Sequence, residues 1–101
     1  MTETMMVSKS LLDRLRAAFK RYGANVLGDP EITIDFFPHE MGMHIWVVLG
    51  SPKFQNMGIA ERQDSIWDYL RSDSEATNED IVLISHIRME SEAVEFLYAA
   101  N

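Results

Sequence analysis

The residues best suited to chemistry are three histidines, His39, His44 and His86, because the 101-residue chain contains no cysteine. A metal ion would therefore need imidazole or carboxylate ligands. The segment from His39 to His44 nearly forms the zinc-protease motif His-Glu-x-x-His, but its second histidine comes one residue late. That motif also requires a helix, whereas Pro38 and Gly42 favour a hairpin loop. The segment therefore does not predict a zinc protease.

A second arrangement to weigh is the pair Asp64 and Asp68, which lie four residues apart on one predicted helix face. Such a pair could serve acid-base catalysis. Arg71 follows three residues later, so a solvated, ion-paired helix edge is the simpler interpretation. The sequence has neither a Gly-x-Ser-x-Gly elbow nor a glycine-rich phosphate loop. None of these patterns therefore predicts a catalytic site.

The charge distribution limits the classes of partner. A net charge of −7 disfavours general attraction to nucleic acids or anionic lipids. Residues 8–22 nevertheless hold five basic side chains against one acid. A solvated helix face is the favoured interpretation, and docking of a nucleic acid or an acidic partner is the alternative. The longest apolar run, residues 45–49, is far too short to span a bilayer, and the N-terminus lacks a signal-peptide pattern, so we expect a cytoplasmic protein without a membrane segment.

Helical spacing of apolar residues predicts a first helix over residues 11–22. Ser10 and Asp13 have the spacing of an N-terminal capping arrangement, and Gly23 is suited to end the helix. The remaining elements are predicted as strands at 32–37 and 43–49, a helix at 58–71, a strand at 81–89 and a C-terminal helix within 91–101.

The order α-β-β-α-β-α predicts a single α+β domain over residues 1–101. The short link between the first two strands favours an antiparallel hairpin. A small three-stranded mixed sheet with helices mainly on one face is the simplest arrangement. The polar segment 72–80 is expected to form a loop or an extra turn, and residues 1–7 are expected to be disordered. Ile59, Ile66, Trp67 and Leu70 are expected on the inward side of the second helix.

Strand alternation predicts an apolar patch on the sheet. Trp46 and Val48 fall on the face opposite the core, and Phe37 is a predicted cross-strand neighbour. A patch of this kind would suit a protein partner or a second copy of the chain. The alternative is that the C-terminal helix, with Leu97 and Tyr98, folds back over it.

The segment from His44 to Leu70, HIWVVLGSPKFQNMGIAERQDSIWDYL, carries a more specific pattern. A strand beginning with His runs into a Ser-x-x-Phe loop ending at Phe54, and the following helix carries Arg62. Over these 27 residues the chain resembles the BolA family without gaps. The resemblance implies a fold related to the second class of KH domains. It also implies a non-enzymatic adaptor that binds monothiol glutaredoxins and shares a 2Fe-2S cluster in the complex; some bacterial members act on transcription.

The resemblance also implies functional residues. The family's cluster ligands lie in the hairpin loop and near the start of the last strand, which implies His39 and His86 as metal ligands. A surface facing the glutaredoxin would lie around His39, Phe54 and Arg62, while Trp46 and Phe37 remain candidate partner-binding residues of the sheet patch described above. Gln63 stands where the family has histidine, Asn56 stands at the place of a family glycine, and the alternation of the last strand puts Ile84 at the ligand position. We therefore expect an adaptor without an intrinsic cofactor, whose ligation of a shared cluster is weakened or lost.

Two alternatives to this adaptor remain open. One is a self-associating interaction or regulatory module that pairs through the face bearing Trp46. The other is a transcription-related DNA binder that uses the basic first helix. RNA binding of the KH type is not expected, because no two of the five glycines have the Gly-x-x-Gly spacing.

Overall fold

The computed structural model describes residues 8–39, 44–73 and 78–91. The elements are α1 (Lys9–Tyr22), a π-helical turn (Gly23–Leu27), β1 (Thr33–His39), β2 (His44–Gly50), a 3-10 turn (Pro52–Asn56), α2 (Ile59–Ser72), α3 (Asn78–Ile81) and β3 (Ile84–Glu90). The predicted order α-β-β-α-β and the α+β class are confirmed, and α3 is the extra turn in the acidic segment. The predicted C-terminal helix and residues 1–7 lie outside the described residues. Within the described ranges, every helix is too short or too polar for a bilayer crossing.

The three strands form one mixed sheet in the order β1-β2-β3. The hairpin strands β1 and β2 are antiparallel, as predicted, and β2 and β3 are parallel. A parallel pair needs a crossover connection, which α2 supplies. The register shifts between Ile45, which pairs with Ile84, and Trp46, which pairs with His86. The extra residue, Ser85, explains why Ile84 and Ile87 are both buried while His86 is exposed.

The core lies between the sheet and the two long helices. Its buried members are Leu11, Leu15, Ala18, Phe19, Tyr22, Ile32, Ile45, Val47, Leu49, Phe54, Ile66, Leu70, Ile84, Ile87 and Met89. On α2, Ile66 and Leu70 are fully buried and Trp67 packs against them, as predicted. The prediction for Ile59 is wrong, because this residue begins α2 and is 80% exposed.

The N-terminus of α1 begins two residues earlier than predicted. Ser8, rather than Ser10, is the N-cap, and its side-chain oxygen accepts a hydrogen bond from the Leu11 amide at 3.2 Å. Asp13 does not cap the helix. Its carboxylate instead pairs with the Lys9 ammonium at 2.9 Å, one turn earlier on the exposed surface.

Gly23 is the C-cap of α1, as the sequence predicts, but its backbone is right-handed helical rather than left-handed. The chain continues from it through the π-helical turn to Gly28, whose φ of 73° ends that turn. Gly23 is also required for close packing. A Cβ atom there would lie 2.6 Å from both the Asp29 carbonyl oxygen and the Ile32 Cγ2. The glycine therefore lets the segment that precedes β1 pass directly over the helix end.

Candidate functional site

The Arg62 side chain forms hydrogen bonds to three separate parts of the chain. Its guanidinium donates hydrogen bonds to the carbonyls of Phe54 at 2.6 Å, Met57 at 3.0 Å and Met89 at 2.9 Å. These acceptors belong to the 3-10 turn, the link into α2, and β3. The rigid fork of arginine suits such a set of diverging acceptors, which a lysine ammonium reaches less well. Arg62 therefore holds the loop in place, and its predicted contact with a partner stays a prediction.

The Ser-x-x-Phe loop is also structural. Ser51 is fully buried; its hydroxyl accepts from the Lys53 amide at 3.1 Å and donates to an Asp29 carboxylate oxygen at 2.5 Å. Phe54 has no exposed surface and fills the core under the turn. In this conformation the Phe54 ring is a core residue and not part of a partner-binding surface. The spacing of serine, phenylalanine and arginine therefore builds a loop.

Gln63 occupies the position where the resembled family has histidine, and it links α2 to β3. Its side-chain amide donates to the Ile87 carbonyl at 2.8 Å, and its oxygen accepts from the Trp67 indole at 3.0 Å. Arg62 donates to the Met89 carbonyl on the same strand. The strand β3 lies at one edge of the sheet. Side chains of α2 therefore donate hydrogen bonds to two carbonyls of β3. The sequence analysis did not predict this role of Gln63. The only sequence signal for it was the four-residue spacing between Gln63 and Trp67.

Backbone groups of the opposite edge strand, β1, also have side-chain partners. The Arg16 guanidinium donates to the Ile34 carbonyl at 3.2 Å, and the Asp35 carboxylate accepts from the Phe36 amide at 2.9 Å. Pro38 has no amide hydrogen to offer. Side chains that satisfy edge groups, and proline in the strand, both discourage the addition of a further strand. A protein partner is therefore better accommodated on the face of the sheet than at its edges.

The face of the sheet that points away from the core is here called the outer face. It carries alternate residues of the three strands, namely Asp35, Phe37, His44, Trp46, Val48, His86 and Arg88. Trp46 is central, since Phe37 pairs with it across β1 and His86 pairs with it across β3. Its side chain is 44% exposed, and its ring centre lies 5.7 Å from that of His86 in an edge-on arrangement. The structure thus brings Phe37, Trp46 and Val48 onto one face.

The register separates the two predicted metal ligands. His39 pairs with His44 across the hairpin, whereas His86 pairs with Trp46 on the other side of β2. Strands are about 4.8 Å apart, so positions 39 and 86 are about 10 Å apart across the sheet. Among the described side chains, which exclude that of His39, no three His, Asp or Glu side chains gather closely enough to hold a metal ion. Shared ligation of a cluster by His39 and His86 stays a prediction, and the backbone places His44 nearer to position 39.

Four of the five basic residues of α1 have partners within the protein. Arg14 makes a two-point ion pair with Asp80, with both distances 2.8 Å, and Arg21 makes one with Asp73, with both distances 2.9 Å. The two aspartate side chains are only 6% and 4% exposed. The hydrogen bond to Asp80 raises the pKa of Arg14, against a smaller effect of burial. These two ion pairs connect α1 to Asp73 at the end of α2 and to Asp80 in α3.

No protein-family model, curated protein or solved structure matches this chain. The geometry defines a small α+β domain in which the loop motif is structural and the most exposed aromatic side chain of the described sheet lies on its outer face.

Proposed function

We propose that this chain is a non-enzymatic, cytoplasmic BolA-like adaptor that binds a partner protein through the outer face of its sheet. The single observation that carries the proposal is Trp46, which is 44% exposed at the centre of that face. The resemblance of residues 44–70 to the BolA family supplies the class of partner, a monothiol glutaredoxin. The three-stranded mixed sheet and the element order are those that the resemblance implies, which supports the proposal.

The outer face has the chemistry of a protein contact. Tryptophan and arginine are over-represented among the residues that contribute most to binding, and Trp46 lies between Phe37 and His86 with Arg88 nearby on β3. The two edge strands already hold side-chain partners at their outward groups, so strand addition is a poorer route. Partner binding therefore depends on side chains of the outer face.

Any shared 2Fe-2S cluster would draw on imidazoles of this same face. Neutral imidazole is a suitable iron ligand. Positions 39 and 86 are two strands apart, and His86 rests against the Trp46 indole. We propose that ligation by these two histidines is weak or lost, so that the partner complex is maintained chiefly by protein contacts.

Anaerobic reconstitution with a monothiol glutaredoxin, iron and sulfide tests the proposal, with complex formation followed by sedimentation and cluster formation by visible circular dichroism. The wild type should bind, Trp46→Ala should weaken binding at least about tenfold, and Trp67→Phe should bind like the wild type. His39→Ala and His86→Ala should leave the cluster spectrum unchanged. Absence of any complex would overturn the adaptor proposal. A spectrum that changes with either histidine would overturn the loss of ligation.

Self-association through the outer face is a second candidate function. Asp35 and Arg88 pair with Val48 from opposite sides, so they lie at one level of the sheet. A two-fold axis parallel to the strands would place Asp35 of each copy over Arg88 of the other. Sedimentation over a wide concentration range, repeated for Trp46→Ala, tests this arrangement. A monomer at all concentrations would exclude it.

Nucleic-acid binding through α1 has less support. Lys9, Arg14, Arg16 and Arg21 each contact a carboxylate or carbonyl of the protein itself. Phosphate binding would have to compete with these contacts and with the net charge of −7. DNA affinity that falls steeply with salt would favour this role over the adaptor.

A further inference from the structure

Two basic residues of α1 have no carboxylate partner among the described residues. Lys9, Arg14 and Arg21 each form an ion pair with an aspartate. Arg16 and Lys20 do not, and both are exposed on the helix one turn apart. Residues with this spacing lie on the same helix face, with their Cβ atoms about 6 Å apart. The positive charge of α1 that no carboxylate balances is therefore concentrated in one part of its surface.

These two residues line a groove of about 380 Å³ between α1 and the start of β1. Residues 30–34 form its opposite wall, and Glu31 is the only charged residue among them. The segment that precedes β1 passes over the end of α1 at Gly23, which brings this wall close to the helix. A volume of this size is in the range of small-molecule sites, about 300–1,000 Å³.

The Arg16 guanidinium is held in position beside the groove. Its Nη1 atom donates to the Ile34 carbonyl at 3.2 Å, and its central carbon lies 5.0 Å from the centre of the Phe36 ring. Within the described residues, its Nε and Nη2 atoms have no acceptor. Two adjacent guanidinium nitrogens of this kind bind two oxygens of one carboxylate or phosphate. An anion can therefore bind Arg16 without breaking the contact between Arg16 and β1.

A phosphate monoester matches this pair of cations better than a carboxylate or a nucleic acid does. A phosphate monoester carries a charge of about −1.5 to −2 at pH 7, so it can engage both cations, whereas Arg16 alone neutralises a carboxylate. A long nucleic acid would also meet the rest of a protein whose net charge is −7. A small ligand is affected mainly by the charges that line the groove, because salt screens exposed charges beyond about 8 Å.

We propose that the groove between α1 and β1 binds a small phosphate monoester, whose phosphate contacts the Arg16 Nε and Nη2 atoms and the Lys20 ammonium. The carboxylate of Glu31 repels this phosphate and limits the affinity. The helix α1 covers the core side of the sheet, so the site is separate from the outer face. The inference therefore does not depend on the proposed adaptor function.

Titration of the isotope-labelled, full-length protein with glycerol phosphate, followed by NMR, tests the site. The probe should shift the Arg16 Nε–H signal and the amide signals of residues 31–34, with a dissociation constant on the order of 1 mM. Glycerol, the neutral control, should shift neither. Lys20→Gln should weaken binding about tenfold. Lys9→Gln removes the same charge from an exposed lysine outside the groove and should change the affinity less than about twofold. No saturable shift, or equal weakening by the two variants, would overturn the proposal.

Two further variants and two further ligands test the geometry. Arg16→Lys keeps the charge but loses the pair of adjacent donors, so it should weaken binding several-fold. Glu31→Gln should strengthen binding several-fold, and an unchanged affinity would place the phosphate outside this groove. Tighter binding of a phosphoserine peptide, or of single-stranded DNA with a steep dependence on salt, would identify a macromolecule as the ligand. Either of these two results would overturn the assignment of a small ligand.

Discussion

Arg62 and Phe54, eight residues apart, are joined twice: the arginine Nη2 donates to the Phe54 carbonyl at 2.6 Å, and its guanidinium carbon lies 5.8 Å from the centre of the Phe54 ring. The same guanidinium reaches Met57 and Met89. One guanidinium therefore connects the start of α2, the turn before it and β3. This relationship explains the most specific pattern in the sequence as a requirement of the fold.

Arg62→Lys should lower the free energy of unfolding by about 2 kcal/mol, because a lysine cannot replace all three hydrogen bonds and leaves partly buried carbonyls unsatisfied. Urea unfolding followed by far-ultraviolet circular dichroism measures the change. Arg71→Lys on the same helix is the control, since its ion pair with Asp68 is exposed and should contribute less than about 0.5 kcal/mol. Equal stability of the two variants would show that Arg62 is not an anchor.

Asp73→Asn should cost about 2 kcal/mol of unfolding free energy. The Asp73 side chain is 4% exposed and accepts two hydrogen bonds from Arg21, so an asparagine would lose the charge and leave one arginine donor without its acceptor. Asp68→Asn, at a side chain that is 75% exposed, should change stability by less than about 0.5 kcal/mol. A double variant with Arg21→Gln should lose little more than Asp73→Asn alone. Full additivity of the two changes would argue against a direct pair.

Gly23→Ala should destabilise the protein by about 2 kcal/mol or more. The added methyl group would lie 2.6 Å from the Asp29 carbonyl oxygen and the Ile32 side chain, and the backbone would have to move to relieve the clash. Gly58→Ala is a matched control, because a Cβ at Gly58 meets open space and its φ of −70° suits alanine. Thermal unfolding compares the two variants. A Gly23→Ala protein as stable as the control would mean that the chain before β1 can shift without penalty.

The sequence was sufficient for the order of elements because periodicity reports which face of each element is buried. It was incomplete where the role of a single residue depends on a distant neighbour. Gly23 caps α1, as its position predicts, but its requirement for close packing depends on Asp29 and Ile32, which pass over it. The extra residue Ser85 in β3 could not be seen from alternation, because it depends on the register with β2. Trp46 was placed correctly on the outward face, since alternation within β2 needs no tertiary information.

The contacts of Phe54 and Arg62 within the fold could not be predicted from the sequence for a related reason. Phe54 and Arg62 were grouped as a partner surface because both belong to a recognisable pattern. Their burial and hydrogen bonds depend on β3, which follows more than twenty residues later in the chain. A pattern of residues shows that positions act together, and it does not show whether they act in folding or in binding.

The stability of a Tyr22→Phe variant should depend on pH differently from the stability of the wild type. Tyr22 is fully buried, and burial raises its pKa above the ordinary value of 10.0, against a smaller opposing effect of its hydrogen bond with Ser65. Above pH 10 the unfolded chain releases this proton while the folded protein still holds it, so the contribution of Tyr22 to stability is complete below pH 10 and declines as the pH rises towards the folded pKa. Near pH 8 the variant should be less stable by about 1 kcal/mol, because the hydrogen bond to Ser65 is lost. This difference in stability should shrink or reverse above pH 10. Unfolding in guanidinium chloride, at pH 8 and again above pH 10, measures it. A difference that stays constant would mean that Tyr22 ionises equally in the folded and unfolded chains.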